Sequence, residues 1–338
     1  MHKRKEILFA AVFLLLTGFM IGIASDILRP NQTVYGSTWQ AFRGEPEDSL
    51  DVIYLGSSYA YCDINPALVY NASGLTGYVM AGGEQPLAIT YWYLKEIFRT
   101  QSPSAVVLEG TSLYFQQYQN YTKQNVSMMP FSINKLGAIF TASEPELRQG
   151  LLFDLSLYHN RWKELSRADL SKVIPPMEGN AYKGFTPMNQ VLDGVGEQAN
   201  VQDRTVSEED YAANLEWLGK IFALCREHNA QPIVTFHPSY TRCTPEAYAQ
   251  NTADILSLDS GVLVHNWTDS FEEIGLIPTQ HLYDGGHLNS AGAAIFSAWL
   301  GKFLTEELGL APRAQTEENA AAWQEAVQFW KAQEKSPS

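Results

Sequence analysis

Three short apolar runs, Val52–Leu55, Tyr78–Met80 and Ala105–Glu109, alternate with helix-patterned stretches, and this rhythm leaves few folds open to the chain. Runs that are apolar throughout are strands buried on both faces, not half-exposed ones. The connections are too long for hairpins. One carries Pro66–Tyr70 behind an Asn65 cap, the other Pro86–Arg99 with Leu87, Trp92, Leu94 and Phe98 as its apolar positions. Strands joined through helices pair in parallel. The rhythm resumes with a helix from Ser207 to Arg226, acidic in its first turn, then strands over Pro232–His237 and Gly261–Asn266. A closing helix over Ala291–Leu304 follows, capped by Asn289 or Ser290. The expected fold is α/β, a doubly wound and mostly parallel sheet.

Residues 115–205 break the rhythm. They are rich in Gln, Asn, Tyr and Met, contain Pro175-Pro176, and leave the pattern directly after Gly110-Thr111-Ser112. They read as an inserted cap lying over the carboxyl edge of the sheet and outside the core. Around them the chain divides into residues 1–25, a connector at 26–46, the α/β domain at 47–310, and a tail at 311–338. The tail holds a weakly amphipathic helix with Trp323, Val327 and Trp330, expected to be peripheral.

Lys3, Arg4 and Lys5 precede an uncharged run from Ile7 to Ala24. Its 18 residues make a helix about 27 Å long, close to the hydrocarbon thickness of a bilayer. Basic residues before it and Asp26 after it predict a single-pass anchor with the remainder outside the cytoplasm. Gly22-Ile23-Ala24 keeps a cleaved signal peptide, and a secreted product, as the competing reading. With 338 residues at 45% hydrophobic, the chain can bury one large core. A formal charge of −14 argues against nucleic acid as a partner, and no phosphate-binding glycine loop is present. Cys62, Cys225 and Cys243 are too few for a disulfide framework, although Cys225 and Cys243 remain candidates for a pair. No Cys/His grouping has zinc spacing, so neither metal nor cofactor is expected.

Two motifs carry chemistry. Gly56-Ser57-Ser58 follows the first strand, where α/β folds place ligands and nucleophiles. Asp284-Gly285-Gly286-His287 precedes the last helix, and its spacing lets the carboxylate reach the imidazole within one turn. Either alone is a common loop sequence. Together they supply a hydroxyl, a base and an orienting acid. His237, at the end of a strand, faces the same edge by topology and reads as a satisfied loop histidine.

In these two blocks and their order the chain resembles the SGNH (GDSL-like) superfamily of serine hydrolases and acyltransferases, over roughly residues 48–305. The resemblance implies a flavodoxin-like three-layer fold, with Ser58 as nucleophile, His287 as base and Asp284 as orienting acid. Ser57 stands where the family block usually has Asp. The implied oxyanion donors are the backbone of Ser58, a glycine after the second strand (Gly83, or Gly82 if the turn is shifted), and the residue at Ser112, where the family carries an Asn. Gln85, His159 and Arg161 are the expected substrate contacts, with Trp162 as a stacking surface. The function expected is an esterase or O-acyltransferase acting on an acylated small molecule or cell-envelope polysaccharide, membrane-tethered, with room for a membrane acyl-donor partner protein. The alternative is a glycan-binding or assembly protein on the same scaffold without catalysis.

Overall fold

The computed structural model describes residues 2–29, 39–166, 169, 181–192, 194–195, 198–203 and 206–334. Among them seven strands form: β1 (Val52–Gly56), β2 (Gly77–Ala81), β3 (Ala105–Glu109), β4 (Asn200–Gln202), β5 (Gln231–Phe236), β6 (Thr241–Cys243) and β7 (Leu263–Asn266). Five make the central sheet in the order β2-β1-β3-β5-β7, every pair parallel, while β4 and β6 pair separately. The fold is α/β with a parallel central sheet, as expected from the strand rhythm.

Side chains alternate between the two faces of the sheet. On β1, Ile53 and Leu55 join one apolar cluster, and Val52 and Tyr54 the other; Val106 and Leu108 against Ala105 and Val107 repeat the division on β3. The first cluster is closed by the helices Leu87–Ile97 and Glu208–Glu227, the second by Pro66–Ser73 and Ser290–Lys302. Asn65 and Ser207 cap their helices through their side chains, and Asn289 caps the closing helix. The outer edge of β2 is partly covered, since Val79 N–H donates to Lys183 O.

Three expectations need correction. The tail helix, Glu317–Glu334, is not peripheral: Trp323, Val327 and Trp330 are 0%, 1% and 6% exposed. Tyr70 packs on Trp323, and Arg313 just before the helix pairs with the buried Asp51, so the tail is fastened to the start of β1. The connector also enters the core, through the buried Trp39 and Phe42 and through Glu45, whose carboxylate binds Lys183 in a buried ion pair. The insertion is not outside the core either. Its helices Thr122–Met128, Ile133–Thr141 and Pro145–Leu152 put Val126, Met129, Ala138, Ile139 and Leu151 into the first cluster. Helical spacing had hidden these apolar positions among Gln and Asn. Pro175-Pro176 lie outside the described residues. Cys62, Cys225 and Cys243 are all free thiols, so the Cys225–Cys243 pair does not form.

The N-terminal helix extends to Leu28, past the apolar run, and its span Lys3–Ser25 has a mean hydropathy of 2.6. Among the described residues none buries its apolar stretch, and its Phe9, Phe13, Leu15 and Phe19 are exposed. This is an apolar helix compatible with a membrane anchor or a signal sequence.

Because Trp323 fills its site completely, Trp323→Ala is expected to lower the unfolding free energy by about 3–5 kcal/mol. A denaturant titration of the purified chain checks this; a change under about 1 kcal/mol would mean that the tail docks weakly.

Candidate active site

The candidate site begins at Gly56, which ends β1 with φ 143°, a conformation open to glycine. A Cβ there would lie 2.9 Å from Glu109 Cβ, so the nucleophile turn also needs glycine for close packing against β3. Gly56 pairs in register with Ala81 of β2, and Leu55 with Leu108 of β3. Those pairings set the β2 and β3 loops at the same level as Ser58, which opens the short helix Ser58–Asp63. Sheet order reverses across β1 and β3, and ligands of doubly wound sheets bind at the carboxyl ends of such a switch.

Ser58 Oγ lies 2.8 Å from His287 Nε2 although 229 residues separate them. His287 Nδ1 is 2.9 Å from both carboxylate oxygens of Asp284. The same carboxylate accepts the backbone N–H of Gly286 at 2.7 Å and of His287 at 2.8 Å, so the loop holds its acid in place. Tyr59 stacks on the imidazole at 4.6 Å, and a Cβ on Gly286 would come within 2.5 Å of its hydroxyl oxygen. Gly286 therefore leaves room for the ring stacked on His287, while Gly285 leaves room for Thr241.

Electrostatics suit a serine relay. Burial alone would push the Asp284 carboxyl up, but the hydrogen bond and charge of His287 and two backbone donors hold it below its ordinary value. Burial would push the His287 imidazole down, but the hydrogen bond and charge of Asp284, with Asp63 and Glu109 behind, raise it above its ordinary value. Tyr59 is raised far above the usual phenol range, by burial first and then by Glu109, Asp284 and Asp63, so it remains a neutral packing group.

Behind this relay lies a second buried pair that the sequence only half revealed. His237 is satisfied, as its reading predicts: Nδ1 is 3.0 Å from Asp63 Oδ2, and Nε2 is 3.1 Å from Thr235 Oγ1. Both side chains are 0% exposed. The other oxygen of Asp63 accepts the N–H of Leu288 at 2.9 Å, the residue directly after the base. Asp63 thus ties the end of the nucleophile helix to the His287 loop. Nothing in its sequence context marks it, because its partners lie 174 and 225 residues away.

The remaining expected residues separate. The Gly83 N–H has no acceptor among the described residues. The Gly83 carbonyl is held by Asn125 Nδ2 at 3.0 Å. Tyr121 covers the α-carbon of Gly83, where a Cβ would meet its ring at 3.3 Å. Ser112 does not act as expected: its hydroxyl is buried and donates to Gln85 O at 3.0 Å, which leaves it no proton for an oxyanion. Gln85 is likewise buried and donates to Thr90, bracing the loop instead of facing a substrate. Arg161 and His159 are not part of this cluster. Arg161 donates to Leu28 O at 2.8 Å and pairs with Asp169, and His159 Nδ1 bonds Ser156 O. The cationic stretch in the insertion faces the end of the N-terminal helix, a contact that local sequence does not encode. No group of three or more metal-binding side chains occurs among the described residues.

Comparison with protein-family models and with curated proteins finds no match to this chain.

Two outcomes follow from this geometry. The base must be neutral to take a proton, and its folded-state value is raised, so activity on a small activated ester is expected to rise with pH through a midpoint above about 6.5. Asp284→Asn should cut kcat by about 10⁴-fold and abolish that raised midpoint; an unchanged profile would remove Asp284 from the relay. Asp63→Ala leaves His237 without its buried partner and should cost about 3–5 kcal/mol of stability, measured by denaturant titration, whereas a loss near zero would show that the pair bears no structural load.

Proposed function

We propose that this chain is an SGNH-type serine acyl hydrolase or O-acyltransferase, acting outside the cytoplasm on cell-envelope glycan. The observation that carries the reading is the continuous Ser58–His287–Asp284 relay, with hydrogen-bond distances of 2.8 and 2.9 Å. In the proposed mechanism Ser58 Oγ attacks the carbonyl carbon of an ester while His287 Nε2 removes its proton. The resulting oxyanion is held by the N–H groups of Ser58 and Gly83. Collapse breaks the bond to the leaving oxygen, which takes the proton from His287, and the acyl group remains on Ser58. A sugar hydroxyl or water then gives a proton to His287 and attacks the acyl-enzyme, and collapse returns the proton to Ser58.

The apolar N-terminal helix supports an envelope location, with the helix as a retained anchor and the acyl donor either a small acylated molecule or a group delivered by a membrane partner protein. The insertion, rooted after β3 and bonded to the Gly83 loop through Asn125, sits where it can restrict water and favour transfer. One observation favours the second reading, a glycan-binding or assembly protein without catalysis: the hydroxyl at Ser112, where the resembled family carries a third donor, is committed to Gln85.

A fluorophosphonate probe separates the two readings. Covalent labelling of the wild-type chain, absent in Ser58→Ala at unchanged thermal stability, is the expected result. A wild-type chain that resists the probe, or a Ser58→Ala chain that still reacts, would sink the catalytic reading.

A further inference from the structure

The insertion presents large apolar side chains outward in the place where the N-terminal helix meets the folded domain. Phe153 and Trp162 are 64% and 63% exposed. Phe153 precedes the short helical segment Asp154–Tyr158, and Trp162 lies within the next, His159–Lys163. Leu157 packs against the first apolar cluster, and Tyr158 Oη is 2.6 Å from Ser127 Oγ. Each outward aromatic thus lies within five residues of a side chain anchored in the domain.

Their position relative to the N-terminal helix identifies what covers them. That helix stands free of the protein through residue 16 and becomes half-buried from Ile23 onward. Its end is clamped by the insertion: Arg161 Nη1 donates to Leu28 O at 2.8 Å, and its other terminal nitrogen pairs with the buried Asp169. If Ile7–Ala24 fills the hydrocarbon of a bilayer, Leu28 lies about 6 Å beyond its edge, within the headgroup layer. Trp162 is the residue after Arg161, and Lys163 Nζ lies 5.6 Å from the centre of its ring. A tryptophan beside a lysine at that depth matches the aromatic and cationic belt found at membrane interfaces.

We propose that Phe153 and Trp162 form a membrane-contact surface, seated in the headgroup layer of the bilayer face from which the N-terminal helix emerges. The inference rests on reading that helix as a retained anchor. Arg161 then serves as the clamp between anchor and domain, and the stretch His159–Lys163 recognises lipid instead of glycan. The contact extends toward the catalytic edge. Tyr158 reaches Ser127, and Asn125 two residues before it holds the Gly83 carbonyl, so the surface and the proposed oxyanion loop belong to one packed unit.

Trp162 supplies its own probe. Of the eight tryptophans in the chain it is the exposed one, and the helix His2–Leu28 contains none. The full-length chain is reconstituted into vesicles of phosphatidylethanolamine and phosphatidylglycerol, with and without brominated acyl chains, and its tryptophan emission is recorded. Bromine should quench a component of the wild-type emission, and Trp162→Phe should lose that component. Equal quenching in the two chains, or none in either while both float with the vesicles, would overturn the contact surface and leave the anchor standing. Failure of the chain to float would overturn the anchor reading together with the proposal. Neither outcome bears on labelling of Ser58, so the catalytic reading is judged separately.

Discussion

Asp63 accepts one hydrogen bond from His237 and another from the backbone of Leu288, in a position without solvent. An ionised carboxylate in such surroundings is tolerated only when both oxygens are satisfied. Burial pushes its pKa up, and the hydrogen bond and charge of His237 oppose that push. The carboxylate joins the helix that begins with Ser58, the end of β5 and the loop that carries His287. Without it the helix of Ser58 and the loop of His287 would lose a buried polar link, and small shifts are enough to break a 2.8 Å contact.

The sheet supplies the other half of this alignment. Parallel register brings the ends of β1, β2 and β3 to one level, so their loops converge without any long excursion. Gly56 permits β1 to end against Glu109, whose carboxyl is buried with Oε1 bonded to Thr111 and Oε2 unpartnered among the described residues. Burial raises the Glu109 pKa, with the charge of His237 opposing it. Ser57 Oγ and Gln85 Oε1 in the loops of this edge, and Asn125 Oδ1 on the insertion helix beside them, are further buried polar atoms without partners among the described residues. Unsatisfied polar groups are costly and concentrate where function constrains the sequence.

The insertion and the tail are both parts of the core and both fasten something external to it. The tail binds the start of β1 through Arg313 and Asp51 while adding Trp323 to the first layer and Val327 and Trp330 to the second. The insertion completes the first layer with Val126, Met129 and Ile139 and braces the Gly83 loop through Asn125. It also clamps the end of the N-terminal helix through Arg161. One segment therefore touches the apolar helix, the core and the edge that carries the candidate site.

The strands and the Ser58, Asp284 and His287 positions were legible in the sequence for local reasons. A strand buried on both faces must be apolar throughout, as Ala105–Leu108 is, and an acid three residues from an imidazole reaches it within one turn. The caps at Asn65, Ser207 and Asn289 are equally local, since each side chain accepts from a backbone amide two or three residues on. Tertiary structure alone decided the pairing of Asp63 with His237, the commitment of the Ser112 hydroxyl to Gln85, the contact of Arg161 with Leu28, and the burial of Trp323. Each depends on a partner at least 27 positions away or on packing between layers. A side chain's own neighbours in sequence fix its conformation but not what it meets when the chain closes on itself.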